Sequence, residues 1–320
     1  MISGVVNLYK EKGFTSVDAL RVLGGITGER KMGHTGTLDP DAEGVLPVCL
    51  GKATKAAELI TGTDKEYICT LAFGSETDTQ DASGIVTREH GDIGYSFDEQ
   101  SARDAILSFQ GGYDQIPPMY SALKHEGKKL YDLARKGIEV ERTPRRVRID
   151  EIEILSLEKE GARLRVCCSK GTYIRSLCED IGRKTGYLAH MTSLIRTRCG
   201  PYSIKQSLKL SQVEAKVKAG EKDYIEDLSS LFSDLPVFRV SKEEDLMLMN
   251  GNYLTYGKAY LQSVCGKELN LKDQVRMELS SGELAGLYEV KELFPEGSTQ
   301  AKKRQIHDDA LRLVAFKMFT

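Results

Sequence analysis

Between residues 33 and 47 the chain reads GHTGTLDPDAEGVLP. Three glycines and two prolines in this stretch exclude a regular helix and argue against a regular strand, because proline lacks a backbone donor and glycine weakens both elements. The fold must therefore carry a shaped loop near its N-terminus. Within the loop Asp39 precedes Pro40, whose ring disfavours helical backbone in the preceding residue, so Asp39 is biased toward an extended conformation. Gly36 and Gly44 flank it and tolerate left-handed or crowded geometry. Such a frame presents one short carboxylate at a fixed angle. Asp41 and Glu43 have no such restraint and are expected to face solvent. An acidic surface turn has the same composition, and the loop alone does not separate the two readings.

The rest of the chain limits what that carboxylate serves. With 320 residues, 40% hydrophobic and 29% charged, the chain builds one large globular domain or two ordinary ones. No apolar run is long enough to span a bilayer, so no membrane partner is expected. The start, MISGVVNLYKEKG, meets charge too early for a secretion signal, which predicts a cytoplasmic protein. Seven cysteines lie scattered without a C-x-x-C pair, as in reduced thiols rather than a disulfide frame. No His/Cys spacing resembles a zinc site, and no metal is expected. The net charge of -2 hides an uneven distribution. Residues 58–104 carry three basic and eleven acidic side chains, 121–150 nine basic and five acidic, and 163–198 eight basic and two acidic. A basic face of this kind attracts phosphate whatever the total charge, although solvated surface charge reads the same way.

Periodicity and punctuation suggest an α+β order. Strands are expected at 5–9, 67–73, 145–157, 163–168 and 191–197, and helices at 54–60 and after Ser16. Ser96-x-x-Glu99 and Ser211-x-x-Glu214 read as capping boxes for helices reaching Phe109 and Gly220. From Gln115 a proline-broken loop leads to a basic helix over 127–136, closed by Gly137. Thr172 is expected to cap a helix whose apolar positions are Ile174, Leu177, Cys178 and Ile181, with Gly186 as its stop. The acidic, serine-bearing stretch 221–234 is the expected domain joint. Beyond it, short strands at 260–264, 274–279, 284–290 and 311–316 predict a small β-rich domain.

Other residues suited to chemistry are few. The run Lys170-Gly171-Thr172-Tyr173-Ile174-Arg175 sits at a strand-to-helix junction, where backbone N–H groups and a lysine suit an anion. Arg175 lies off the apolar stripe and can hold an acid from another segment ionised, or serve as a plain surface arginine. Tyr67 opens a strand and can stack on a base or simply fill a sheet edge. His34 is open to three readings: base, stacking ring or satisfied loop residue.

Four collinear stretches carry a family resemblance. They are GHTGTLDPDAEGVLPVCLGKATK; KEYICTLAFG with ETDTQDASG; QIPPMYSALKHEGKKLYDLARKGIEVERTPR; and CSKGTYIRSLCEDIG. Together they resemble the bacterial TruB family of tRNA pseudouridine-55 synthases over about residues 1–200. The resemblance implies an α+β pseudouridine-synthase catalytic domain over 1–232, with a mixed, largely antiparallel sheet and an RNA-gripping insertion at about 115–146. A small β-rich PUA-type RNA-binding domain over 233–320 would follow. By position Asp39 matches the catalytic aspartate, Tyr67 the base-stacking tyrosine and candidate for the proton step, and Arg175 the arginine paired with the aspartate. His34, Tyr173 and Leu194 match substrate-contacting positions, and Lys10 belongs to the N-terminal signature and is expected at the substrate. Lys124, Lys128, Lys129 and Arg146 are expected on the RNA backbone. Glu11 stands where the family has proline, so this segment is expected to be less restrained.

The implied substrate is the T-arm stem-loop of tRNA, bound by a monomer without an obligate protein partner. The implied reaction is internally balanced and uses no cofactor. A guide-RNA-dependent rRNA synthase, a non-catalytic tRNA-binding or folding protein and a base-excising glycosylase are the alternatives.

Overall fold

A computed structural model describes residues 2–90, 96–294 and 309–320. The chain opens with β1 (Gly4–Lys10), α1 (Ser16–Thr27), β2 (Met32–His34) and β3 (Glu43–Leu50). After a 3-10 turn come α2 (Ala57–Thr61) and β4 (Lys65–Phe73), then a two-stranded ribbon of β5 (Ser75–Thr77) and β6 (Val86–Glu89). Next, α3 (Glu99–Leu107) leads into β7 (Gly111–Gln115). A basic excursion of β8 (Lys124–His125), β9 (Lys128–Lys129) and α4 (Leu130–Ala134) precedes β10 (Arg145–Glu158) and β11 (Gly161–Cys168). The first half closes with α5 (Ile174–Thr185), β12 (Ala189–Cys199), β13 (Tyr202–Ser203) and α6 (Leu210–Lys218).

These strands make a nine-stranded sheet of order β1-β3-β12-β4-β11-β10-β7, with β2 on β3 and β13 on β12. Among the described residues the one parallel pairing between its strands joins β3 to β12, at Glu43↔Ile195 and Gly44↔Arg196. That contact matters because it brings the end of the 33–47 segment against the middle of β12. β4 lies between β12 and β11, and Lys65, Tyr67, Cys69, Leu71 and Phe73 all turn to one buried face, the period of two expected of a half-covered strand. β3 reads instead as a continuous buried run, because both of its faces are covered. Leu46, Val48 and Leu50 join the main core, whereas Val45 and Cys49 join a second cluster with Leu284, Leu287 and Phe319 from the far end of the chain.

That far end holds β14 (Val237–Arg239), α7 (Asp245–Met249), β15 (Leu254–Gly257), α8 (Lys258–Cys265), β16 (Gln274–Glu278), β17 (Leu284–Phe294) and β18 (Ala310–Met318). Its sheet runs β14-β16-β17-β18-β15 around a separate core that includes Phe238, Tyr288 and Leu313. An α+β domain with a mixed, largely antiparallel sheet and a small, curled, β-rich C-terminal sheet is the expected fold class. The two parts pack on each other: the Phe232 and Phe319 rings stack at 5.7 Å, and Arg276 donates to the Ser229 carbonyl at 3.1 Å.

Several local expectations are corrected. Residues 43–50 form a strand despite Pro47, whose carbonyl accepts from both the backbone N and the hydroxyl of Thr35. The stretch 260–264 lies in α8: Leu261 is fully buried, Tyr260 is exposed, and Gly266 caps the end in the left-handed region. A short apolar run cannot be assigned by periodicity alone. Helix starts shift because a competing side chain takes each cap. Thr15, not Ser16, caps α1; Asp98, not Ser96, caps α3; and the start of α6 is tied by Gln212 Oε1 accepting from Lys209 N. Thr172 does not cap α5, because its hydroxyl donates to the Ser169 carbonyl. The basic segment is a short hairpin followed by a helix confined to Leu130–Ala134.

Candidate active site

The 35–42 loop leaves β2, returns as β3, and has its backbone carbonyls claimed in turn. Arg196 on β12 donates through Nη2 to the Gly36 carbonyl at 3.0 Å and through Nε to the Val45 carbonyl at 2.7 Å. Ser16, freed from capping, donates to the Leu38 carbonyl at 3.0 Å and accepts from the Leu38 N at 2.9 Å. Lys10 sends Nζ to the carbonyls of Glu11, Pro40 and Ala42 at 3.2, 3.1 and 2.7 Å. Pro40 also receives the Gly13 N, and Ala42 N closes onto the Asp39 carbonyl. Gly44, at φ +105°, lets the chain pass so close to β12 that a Cβ there would stand 2.2 Å from the Arg196 carbonyl oxygen.

A loop fixed this way holds Asp39 still. Its carboxylate meets the side-on fork of Arg175, with Nε to Oδ2 at 3.0 Å and Nη2 to Oδ1 at 3.4 Å. The Arg175 side chain is 7% exposed and that of Asp39 37%, so the acid faces an opening while its partner is sunk behind it. The guanidinium is held in turn by the Thr79 carbonyl at 3.0 Å and the Tyr120 carbonyl at 2.8 Å. Asp81 Oδ2 lies 3.8 Å from Arg175 Nε, which places two carboxylates on one arginine. Burial raises Asp39 above the ordinary carboxylate range; Arg175 opposes the shift and the charge of Asp81 adds to it. Lys10 falls to about 8, chiefly through burial, with Asp39, Glu43 and Asp41 holding it up.

Tyr67 and Arg196 are cross-strand partners on β4 and β12, and Leu194 lies one pleat further along the same buried face. Burial pushes the Tyr67 phenol up to about 12, against the pull of the Arg196 guanidinium beside it. The phenol therefore stays protonated at neutral pH. His34 is held below its usual value by burial and by Arg196, and its Nδ1 accepts from Gly36 N at 3.3 Å, leaving a neutral ring. Tyr173 stands at the N-cap position of α5, two residues before Arg175, without a capping bond from its side chain; burial raises its phenol, with the charges of Arg175 and Asp39 close enough to act on it.

Asp39, Arg175, Tyr67, His34, Tyr173 and Leu194 thus gather around one loop and the strand beside it. Lys10 is 1% exposed and braces the loop from below instead of facing the space above it, because all its donors are taken by carbonyls. Lys124, Lys128 and Lys129 are exposed on the β8–β9 hairpin. Arg146 lies outside that hairpin on β10, where it pairs with Asp114 at 3.5 Å. Glu11 pairs with Lys209 at 3.1 Å, a side-chain tie where the fixed φ of proline is missing. Arg196 and Asp81 were not singled out by sequence reasoning. Arg196 carried a signal, a cation at an apolar-parity position of a strand; Asp81, on an isolated bridge to Met191, lies inside the stretch ETDTQDASG that carries the resemblance.

Residues 25–174 match the family model for TruB family pseudouridylate synthase (N terminal domain), and 175–235 match that for the tRNA pseudouridylate synthase B C-terminal domain. A "tRNA pseudouridine synthase B" of Lachnoclostridium phytofermentans is 43% identical, covering 91% of this chain and 96% of that protein. One of the same name from Geobacillus thermodenitrificans is 41% identical, covering 84% and 90%. Among solved structures, a Cbf5-Nop10-Gar1 complex matches over 99% of this chain and 85% of that chain, with TM-score 0.68 and 24% identity, a likeness of fold.

Proposed function

The chain belongs to the TruB family of pseudouridine synthases, isomerases of RNA uridine, and from this we propose that its substrate is tRNA and its target the T-arm loop uridine at position 55. The observation that carries the proposal is the Asp39–Arg175 fork on a loop with its backbone braced by Ser16, Lys10 and Arg196.

The reaction breaks the N1–C1′ bond and joins C1′ to C5 of the same base; C5 loses a proton and N1 gains one. Nothing is oxidised or transferred elsewhere, so the chemistry needs no cofactor. Extruding the base costs about a few kcal/mol. Stacking on Tyr67, at roughly 1–3 kcal/mol, and phosphate contacts from Lys124, Lys128, Lys129 and Arg146 offset that cost. His34, a neutral ring, fills the space the base leaves, and Tyr173 and Leu194 close the pocket around it. Asp39 then acts as nucleophile. Attack at C1′, attack at C6 and elimination to a glycal all begin with this carboxylate. Tyr67, protonated at rest, is the candidate hydroxyl for the proton step, in which the proton leaves C5 and N1 is protonated.

In this reading residues 1–232 catalyse, the 115–146 excursion grips the T-arm, and 233–320 bind further RNA. The chain acts alone and in the cytoplasm; among the described residues no helix is long and apolar enough to cross a membrane. The test is a T-arm hairpin with purified protein and no guide RNA, followed by chemical labelling and blocked primer extension. Conversion of the one T-loop uridine is expected. Conversion only after a guide RNA is added, binding without conversion, or release of free uracil would each overturn the proposal.

A further inference from the structure

We propose that Gln115 is a positioning residue for this reaction, tying the root of the RNA-gripping excursion to the helix start that carries Tyr173 and Arg175; the role rests on the function proposed above. The start of α5 lacks a cap of its own: Tyr173 is the N-cap residue and its side chain makes no capping hydrogen bond. Gln115, 58 residues earlier in the chain, supplies what is missing. Its Oε1 accepts from Tyr173 N at 2.8 Å and its Nε2 donates to the Tyr173 carbonyl at 3.0 Å.

The orientation of this amide is itself fixed. Gln115 is 1% exposed, and its Nε2 also donates to the Tyr113 phenol oxygen. The same phenol lies close enough to Asp180, in the second turn of α5, to lower its carboxyl against the rise that burial imposes. A flipped amide would set oxygen against the Tyr173 carbonyl and nitrogen against its N–H, losing both backbone bonds. Five residues further on, the Tyr120 carbonyl accepts from Arg175 Nη2 at 2.8 Å. The segment leading into the basic hairpin therefore holds both ends of the Tyr173–Arg175 step: the backbone of the first and the guanidinium of the second. Gripping RNA through Lys124, Lys128 and Lys129 and aligning the fork on Asp39 become one mechanical event.

Gln115→Met keeps the volume and removes every one of these hydrogen bonds. At saturating protein, the single-turnover rate constant on a T-arm hairpin is expected to fall about ten- to thirtyfold, while hairpin Kd changes by less than about threefold. Lys128→Ala, on the gripping hairpin itself, is expected to weaken hairpin Kd, the quantity that Gln115→Met leaves nearly unchanged. Tyr113→Phe, which takes the phenol from the amide and from Asp180 but keeps both Gln115–Tyr173 bonds, is expected to lower the same rate constant by about three- to fivefold and guards against a Gln115 variant that fails to fold. Amide hydrogen exchange supplies a readout independent of turnover: protection at residues 174–177 should drop in Gln115→Met while the later turns of α5 keep theirs. Wild-type exchange in that first turn, a saturated rate within about twofold of wild type, or a loss confined to Kd overturns the positioning role. A wild-type protein that leaves the hairpin unconverted overturns the functional reading instead, and the exchange result still decides whether Gln115 holds the helix start.

Discussion

Asp39→Asn is expected to abolish pseudouridine formation, with the single-turnover rate falling by at least about a thousandfold, as nucleophile deletions do. Hairpin affinity should remain within about threefold, because the contacts proposed to bind RNA lie on Tyr67, Tyr173, His34 and the basic hairpin. The fold should tolerate the change. The carboxylate is held above its ordinary range by burial and by Asp81, so its ionised form weakens the folded state at neutral pH. A group raised in this way adds stability below its unfolded value and loses that contribution as pH rises through its folded value. An amide removes that loss, and Arg175 keeps Asp81, Thr79 and Tyr120 as partners. Thermal melting should therefore hold or rise slightly. A variant that still forms pseudouridine at near wild-type rate would exclude Asp39 as the reacting group.

The second large effect is expected at Arg175. Arg175→Lys keeps one positive charge but loses the planar fork that meets both Asp39 oxygens while reaching the carbonyls of Thr79 and Tyr120. Losing one or two hydrogen bonds to a charged group is worth about ten- to a hundredfold in rate. The sign of the pH effect follows from the site. Arg175 is the main influence lowering Asp39 against burial and Asp81. Weakening it raises the carboxyl further, so the acidic limb of the pH–rate profile should move to higher pH, and raising the pH should recover part of the lost rate. A uniform loss at every pH would mean that Arg175 acts without tuning Asp39.

How much of this was legible in the sequence depends on where each residue finds its partners. The carboxylate loop stood out because glycine and proline act on the chain locally, and Asp39 was singled out for that reason. Tyr67 and Arg175 are each suited to chemistry on local grounds, but their assignment as companions of Asp39 came through motif resemblance, since nothing local links residues of different elements. The braces were hidden for the same reason: Arg196 lies 160 residues from the carbonyl it holds at Gly36. Lys10 looked like a substrate contact because a lysine in a loop signature reads as exposed, whereas here the loop folds over it. The cap of α5 was assigned to Thr172 by proximity, but Gln115 arrives from another strand and provides it. The strand through Pro47 and the helix at α8 were misread because coverage on both faces, and the burial of Leu261 alone, are properties of the packed structure.

On this mechanism the braced loop places one carboxylate at a fixed point, so that position matters as much as charge. Asp39→Glu tests it most directly, because it keeps the charge and the attraction to Arg175 but moves the oxygens outward by about one methylene, on the order of the 1 Å misplacement that costs a hundredfold. The measurement is the single-turnover rate of T-arm hairpin conversion for wild type, Asp39→Glu and Asp39→Asn at matched, saturating protein. The glutamate variant is expected to bind the hairpin normally and to fall at least about a hundredfold, close to the asparagine variant. A glutamate variant within about tenfold of wild type would contradict this mechanism, because a carboxylate of the right charge would then suffice wherever the loop put it.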